Sequence, residues 1–370
     1  MGDPCMNSTS IASASPDEVP EVLIVSSAFR AFGASTYMFL ALTSIFMNLI
    51  LIFVFIQAHQ KFKRLAFFTI AWQMVVCDLM CQTIQLIIAV PITYTGRQVY
   101  GETLWLYGFG FFDTVAYNAT LYFSFLMTLK RITVFFASKI NYYLFSKPWI
   151  YFTIGFMWIF VFAFVAGINL IGCRKSFSET GFYYYHDCIP CISAFGQALR
   201  RFSSIMSTYL PVVMLIAYTA IFIAIRCFTP DLPTEHGRTT MHAYERAAEV
   251  RYERIRRKRE IGFVIQSFLI CGFLEVQNLS FNAVPYLHIE GEWSIMLNFL
   301  ENWISILLNS ISPVILFTFN EEIRKQVRDL FRQGSQLFRD KSTTVATSMI
   351  SPGNAAVLFN YRPPPPPYNI

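Results

Sequence analysis

Seven stretches of the chain are apolar almost throughout: Ala34 to Gln57, Leu65 to Val90, Leu104 to Leu129, Trp149 to Ile171, Phe202 to Ile225, Ile261 to Tyr286 and Trp293 to Phe319. Each exceeds the roughly 20 residues that an α-helix needs to cross the hydrocarbon of a bilayer. In lipid every backbone N–H and C=O must pair within the protein, so such stretches are expected to be helices. The pattern therefore predicts an all-α membrane protein, a seven-transmembrane helix bundle forming one domain over residues 34–319. Residues 1–33 form a polar segment before it, residues 320–340 an amphipathic helix after it, and residues 341–370 a Pro-rich tail.

The polar intervals orient the bundle. With the N-terminus outside, the inner segments hold 23 of the 29 Lys and Arg residues, which is the asymmetry that sets topology. The first segment has Asp17, Glu18 and Glu21 but no basic region and no early apolar core, so it does not read as a signal peptide. Met6 stands where Ser or Thr is required after Gly2 for myristoylation. At 55% hydrophobic and 14% charged, the composition fits the bilayer rather than water. The net charge of +6 then belongs to the inner face, where it suits anionic lipid and acidic partners and not nucleic acid.

Two inner segments carry further signals. The long connection from Thr229 to Glu260 opens with turn residues and then reads as helix from Met241, with Glu253 and Arg257 at i,i+4. Its cluster Arg254, Arg256, Arg257, Lys258 and Arg259 is a topology anchor or a docking surface for a partner. After the last span, Asn320 can cap a helix with Glu321 and Glu322 in its first turn and Arg324, Lys325 and Arg328 later, in accord with the helix dipole. Phe319, Ile323, Val327, Leu330 and Phe331 recur on one face, as in a helix lying on the inner leaflet. The tail ends in Pro363 to Tyr368, a polyproline segment whose last residues fit the PPxY ligand of WW domains.

Cys77, Cys81, Cys227 and Cys271 lie in spans, whereas Cys5, Cys173, Cys188 and Cys191 face the oxidising side. A bridge from Cys173 to Cys188 or Cys191 within the second outer loop is expected. Asn7-Ser8-Thr9 is an accessible glycosylation acceptor; the same pattern at Asn118 and Asn278 falls within spans, out of reach of a glycan. The five histidines are scattered without metal-ligand spacing, and neither a Gly-x-x-x-x-Gly-Lys nor a Gly-x-Ser-x-Gly run occurs, so an enzyme is not expected. A secondary transporter is the stronger rival, but transporters are commonly built from internal repeats and an odd number of spans does not divide into two.

Asp78, Asp113, Glu275 and Glu301 fall within spans. Each would cost about 2.5–3.5 kcal/mol facing lipid at mid-bilayer, so they are expected to face the bundle interior. Asn48 in span one, Asp78 in span two, Arg131 at the end of span three, Trp158 in span four, Pro211 in span five, Phe268 and Cys271 in span six and Pro313 in span seven resemble the landmark positions of rhodopsin-like G-protein-coupled receptors. Their spacings are similar too, with 30 residues from Asn48 to Asp78 and 27 from Arg131 to Trp158. The resemblance covers about Ala34 to Leu330.

The departures from that family are informative. Its DRY motif is Lys130-Arg131-Ile132 here, CWxP becomes Cys271-Gly272-Phe273-Leu274, and NPxxY becomes Ser312-Pro313-Val314-Ile315-Leu316. Leu106 stands about where the family has the span-three cysteine that bridges to the second outer loop. With two or more cysteines inside one outer loop and Gln266-Ser267-Phe268 after a basic inner loop, the chain is similar to nematode serpentine chemoreceptors, such as class X. The resemblance implies a plasma-membrane receptor, as on sensory neurons, that passes an extracellular signal to a heterotrimeric G protein; the alternatives are a transporter or a non-signalling accessory subunit. It places G-protein contact at Arg131, with Lys130, Arg256, Arg257 and Arg259 beside it. It implies a ligand site of Asp113, Ser203, Ser204, Ser207, Glu275 and Asn302, in which an aspartate pairs with an ammonium and serines bind hydroxyls, although a neutral or peptide ligand suits the altered span six better. It also implies a polar core of Asn48, Asp78, Thr120 and Asn309 that holds a sodium ion at rest.

Overall fold

The computed structural model describes residues 25–62, 65–101, 104–189, 193–227, 261–262, 264–281, 283, 292–321, 323–330 and 332. Among these, seven helices are long and apolar enough to cross a membrane. They are α1 (Ser27–Gln57), α2 (Ala66–Thr95), α3 (Leu104–Phe136), α4 (Trp149–Leu170), α5 (Ala194–Cys227), α6 (Val264–Phe281) and α7 (Glu292–Phe319). A short helix, Ser138–Phe145, joins α3 to α4. The chain is thus a seven-helix transmembrane bundle. The readings placed on Asn7, Cys191, Arg256, Arg257, Arg259 and the Pro-rich tail lie outside the described residues.

Several helices run beyond their apolar cores because polar residues cap them. α1 begins seven residues before Ala34, where the Ser26 hydroxyl accepts from the Phe29 N–H at 3.3 Å. α5 begins at Ala194 rather than Phe202, and Ser193 Oγ accepts from Gly196 N at 3.2 Å. Hydropathy finds only the lipid-embedded middle of such helices. The chain from Met1 to Ile323 forms one compact unit and residues 324–370 another. In the first, Asn320 Oδ1 accepts from Ile323 N at 3.1 Å, the expected cap; in the second, residues 324–330 and 332 are helical.

Prolines within spans free carbonyls that must find other donors. α2 widens into a π-turn over Gln85–Ala89 immediately before Pro91, and the Ile87 carbonyl accepts instead from the Tyr100 hydroxyl at 2.8 Å. α2 then ends at Gly96, whose φ of 64° is the left-handed cap geometry that glycine adopts without strain. In α7, Pro313 leaves the Asn309 carbonyl, which accepts from Asn48 Nδ2 of α1 at 3.5 Å. Trp158 Nε1 donates to Gln73 Oε1 at 2.9 Å, joining α4 to α2. The landmark polar residues thus cross-link the bundle.

Among the described residues, one feature is not helical. Between α4 and α5 the chain folds into an antiparallel hairpin, β1 (Cys173–Phe177) and β2 (Tyr184–Cys188), in which Cys173 pairs with Cys188 at the open end. Those two cysteines are disulfide-bonded, which resolves the choice of partner for Cys173. The turn is fixed by Ser178, whose hydroxyl accepts from Gly181 N at 2.9 Å.

Candidate ligand cavity

The hairpin is driven into the bundle end by aromatic residues. Phe177 and Phe182 are fully buried with Tyr37, Ile88, Ile92 and Phe299 in one apolar cluster. Phe182 holds a left-handed backbone, φ 59°, which is unfavourable for a residue with a Cβ; ring burial and the Tyr37 hydroxyl, donating to its carbonyl at 3.2 Å, hold it there. Gln98 Nε2 donates to the Phe177 carbonyl at 2.8 Å, and Arg174 lies over the Tyr107 ring at 4.7 Å. β1 also crosses α3 closely at Gly110, where any Cβ would collide with the Lys175 carbonyl.

Beside this plug lies a cavity of about 720 Å³, walled by α3, α5, α6, α7 and the hairpin. Asp113, Ser203, Ser204 and Ser207, singled out from sequence, all line it. Glu275 and Asn302 do not line it; Asn302 Nδ2 instead donates to Gln85 Oε1 of α2 at 3.4 Å. Residues not assigned to the ligand site from sequence complete the wall, among them Lys175, Arg200, Gln277 and Asn298, together with Glu301, which was expected to face the bundle interior. A signal for Arg200 was present, since Arg200, Ser203, Ser204 and Ser207 fall at i, i+3, i+4 and i+7 on one helical stripe. No comparable signal marked Lys175, which sits in what reads as a solvated loop.

Asp113, 4% exposed, forms an ion pair with Lys175 of β1. The Lys175 ammonium also lies 4.7 Å from the centroid of the Tyr184 ring. The carboxylate expected to meet a ligand is therefore met by a side chain of the protein itself.

At the far end of α3, Arg131 is 4% exposed and its guanidinium lies 5.1 Å from the centroid of the Phe67 ring of α2. Between the two ends runs a buried polar layer holding Asn48, Asp78, Thr120 and Asn309. Asn48 and Asn309 meet through the α1–α7 hydrogen bond, and Asp78 is paired with Ser312. Ser44 Oγ, Asn48 Oδ1 and Asp78 Oδ2 are buried oxygens with no hydrogen bond of their own.

The arrangement defines a rhodopsin-like seven-helix fold: the crystal structure of squid rhodopsin superposes with a TM-score of 0.65 over 84% of this chain and 87% of that chain, at 14% identity. By sequence, the chain belongs to the family described as "Protein of unknown function (DUF621)", which matches residues 23–235. No curated protein matches it significantly.

Proposed function

We propose that the chain is a G-protein-coupled receptor of the chemosensory kind, with its N-terminus and hairpin outside the plasma membrane and Arg131 at the cytoplasmic face. The observation that carries this reading is the pairing of a ligand-sized cavity at one end of α3 with a buried arginine at the other. Asp113 and Arg131 lie 18 residues apart, about 27 Å along the helix. A ligand in the cavity touches α3, α5, α6 and α7 together, so it favours whichever packing of those helices it binds better. A packing that releases Arg131 gives the G protein its contact, with Lys130 and the basic residues Arg256, Arg257 and Arg259 contributing attraction from the same face. The Lys and Arg distribution supports the orientation. The test is a compound screen of the expressed receptor against a second-messenger reporter, run beside solute uptake in proteoliposomes. A reporter response without uptake supports the receptor; uptake without any response supports a transporter.

A sodium ion in the polar layer is supported by a carboxylate oxygen and two neutral oxygens buried there without hydrogen bonds, since a hard cation takes oxygen ligands. Asp78, Ser44 and Asn48 would hold it. Sodium is then expected to raise the melting temperature of the purified wild-type chain relative to potassium, and to do so no longer in Asp78→Asn. Equal melting in both salts for wild type removes the ion from the account.

The PPxY segment at Pro365 to Tyr368 supports a WW-domain partner, as in recruitment of a ubiquitin ligase for receptor turnover. Tyr368→Ala is expected to abolish capture by immobilised WW domains and to lengthen surface residence. Unchanged capture and turnover would remove that partner.

A further inference from the structure

The Asp113 carboxylate is enclosed by the cavity wall and already carries a cation. The Lys175 ammonium reaches it from β1, with side chains only 18% and 5% exposed for Lys175 and Asp113 respectively. β1 is pinned in place by the Cys173–Cys188 bridge, the buried Phe177 ring and the close passage at Gly110. Lys175 is thus delivered to the cavity by a rigid strand, not by a free loop. An external ammonium could bind Asp113 only by displacing Lys175, which would then lie against the incoming like charge.

Apart from Arg200 and Glu301, the rest of the wall is rich in neutral hydrogen-bonding groups. Thr114, Asn118 and Ser204 line the cavity from α3 and α5. Gln277 donates to Ser305 at 3.1 Å, while its own Oε1 is buried without a donor. The Tyr184 hydroxyl is likewise buried without a partner. Such groups reward a ligand that supplies matching donors and acceptors.

Resting on the receptor reading of this cavity, we propose that Lys175 is its built-in cation, a specificity-determining residue that occupies Asp113 and closes that carboxylate to ammonium ligands. Removing Lys175 should leave a buried, unpaired carboxylate and an ammonium-sized gap. The experiment is thermal unfolding of the purified full-length chain with and without n-butylammonium, the free equivalent of a lysine side chain. Lys175→Ala is expected to melt roughly 5 °C lower than wild type, and n-butylammonium to restore much of that loss. Wild type and Lys175→Ala/Asp113→Asn should not respond to the amine. Equal stabilisation of wild type by the amine, or a Lys175→Ala chain indifferent to it, would overturn the proposal. Should Lys175→Ala not fold, the exchanged pair Asp113→Lys/Lys175→Asp decides: recovered folding supports the pair, and continued failure overturns it. In the reporter screen, agonists are expected to carry no ammonium. A cationic agonist whose potency falls in Asp113→Asn would sink this inference while leaving the receptor reading intact.

Discussion

Phe299→Ala is expected to destabilise the chain by about 3–5 kcal/mol, the range for truncating a fully buried phenylalanine in a well-packed site. The ring is 0% exposed and touches two other elements at once. Its centroid lies 5.5 Å from that of Phe29 and 5.7 Å from Tyr37, both of α1, and 5.7 Å from Phe182 of the hairpin. Lipid tails are as apolar as phenylalanine, so what is lost is close packing, and lipid at the bundle end does not replace it. Gly33 of α1 lies directly against the same ring, leaving no room for a Cβ. Gly33→Ala should therefore destabilise wild type but cost much less in the Phe299→Ala background, a non-additive pair. Chemical unfolding in detergent measures both. A Phe299→Ala chain as stable as wild type would mean that the hairpin is not anchored through this cluster.

Phe67→Ala is expected to raise ligand-independent signalling roughly tenfold, with surface expression near normal. Where rhodopsin-like receptors carry an acid beside the corresponding arginine, this chain has Lys130, which cannot form an ion pair with Arg131. The Phe67 ring lies against the guanidinium. A desolvated cation–π contact is worth up to about 2 kcal/mol, and losing about 1.4 kcal/mol of restraint shifts a two-state equilibrium tenfold. Phe67→Tyr preserves the ring face and should stay near wild type. Unchanged basal output in Phe67→Ala would show that other contacts hold Arg131.

The seven spans were legible because the bilayer imposes a single requirement on long apolar stretches, and each prediction fell on a helix. Their ends were not, since Ser26 and Ser193 extend helices into polar sequence where hydropathy is silent. Asp113 and the serine stripe of α5, named through the receptor resemblance, line one cavity. The hairpin was missed: only ten residues form its strands, and its apolar positions, Phe177 and Tyr184, pack against distant helices, not each other alone. Lys175 was missed for the same reason, because a charge in a loop reads as solvated until a strand carries it into the bundle. Glu275 and Asn302 were expected at the ligand site from the receptor resemblance and do not line the cavity; placement on a helix does not say which way a residue faces.

Guanine-nucleotide exchange on a panel of purified heterotrimeric G proteins, catalysed by the full-length chain in lipid nanodiscs, tests the receptor account most directly. Because Phe67→Ala should signal without ligand, the assay needs no agonist. The account predicts that Phe67→Ala accelerates exchange on at least one G protein well above wild type, and that adding Arg131→Ala abolishes the gain. Exchange at the uncatalysed rate across the whole panel, for Phe67→Ala and wild type alike, would contradict it.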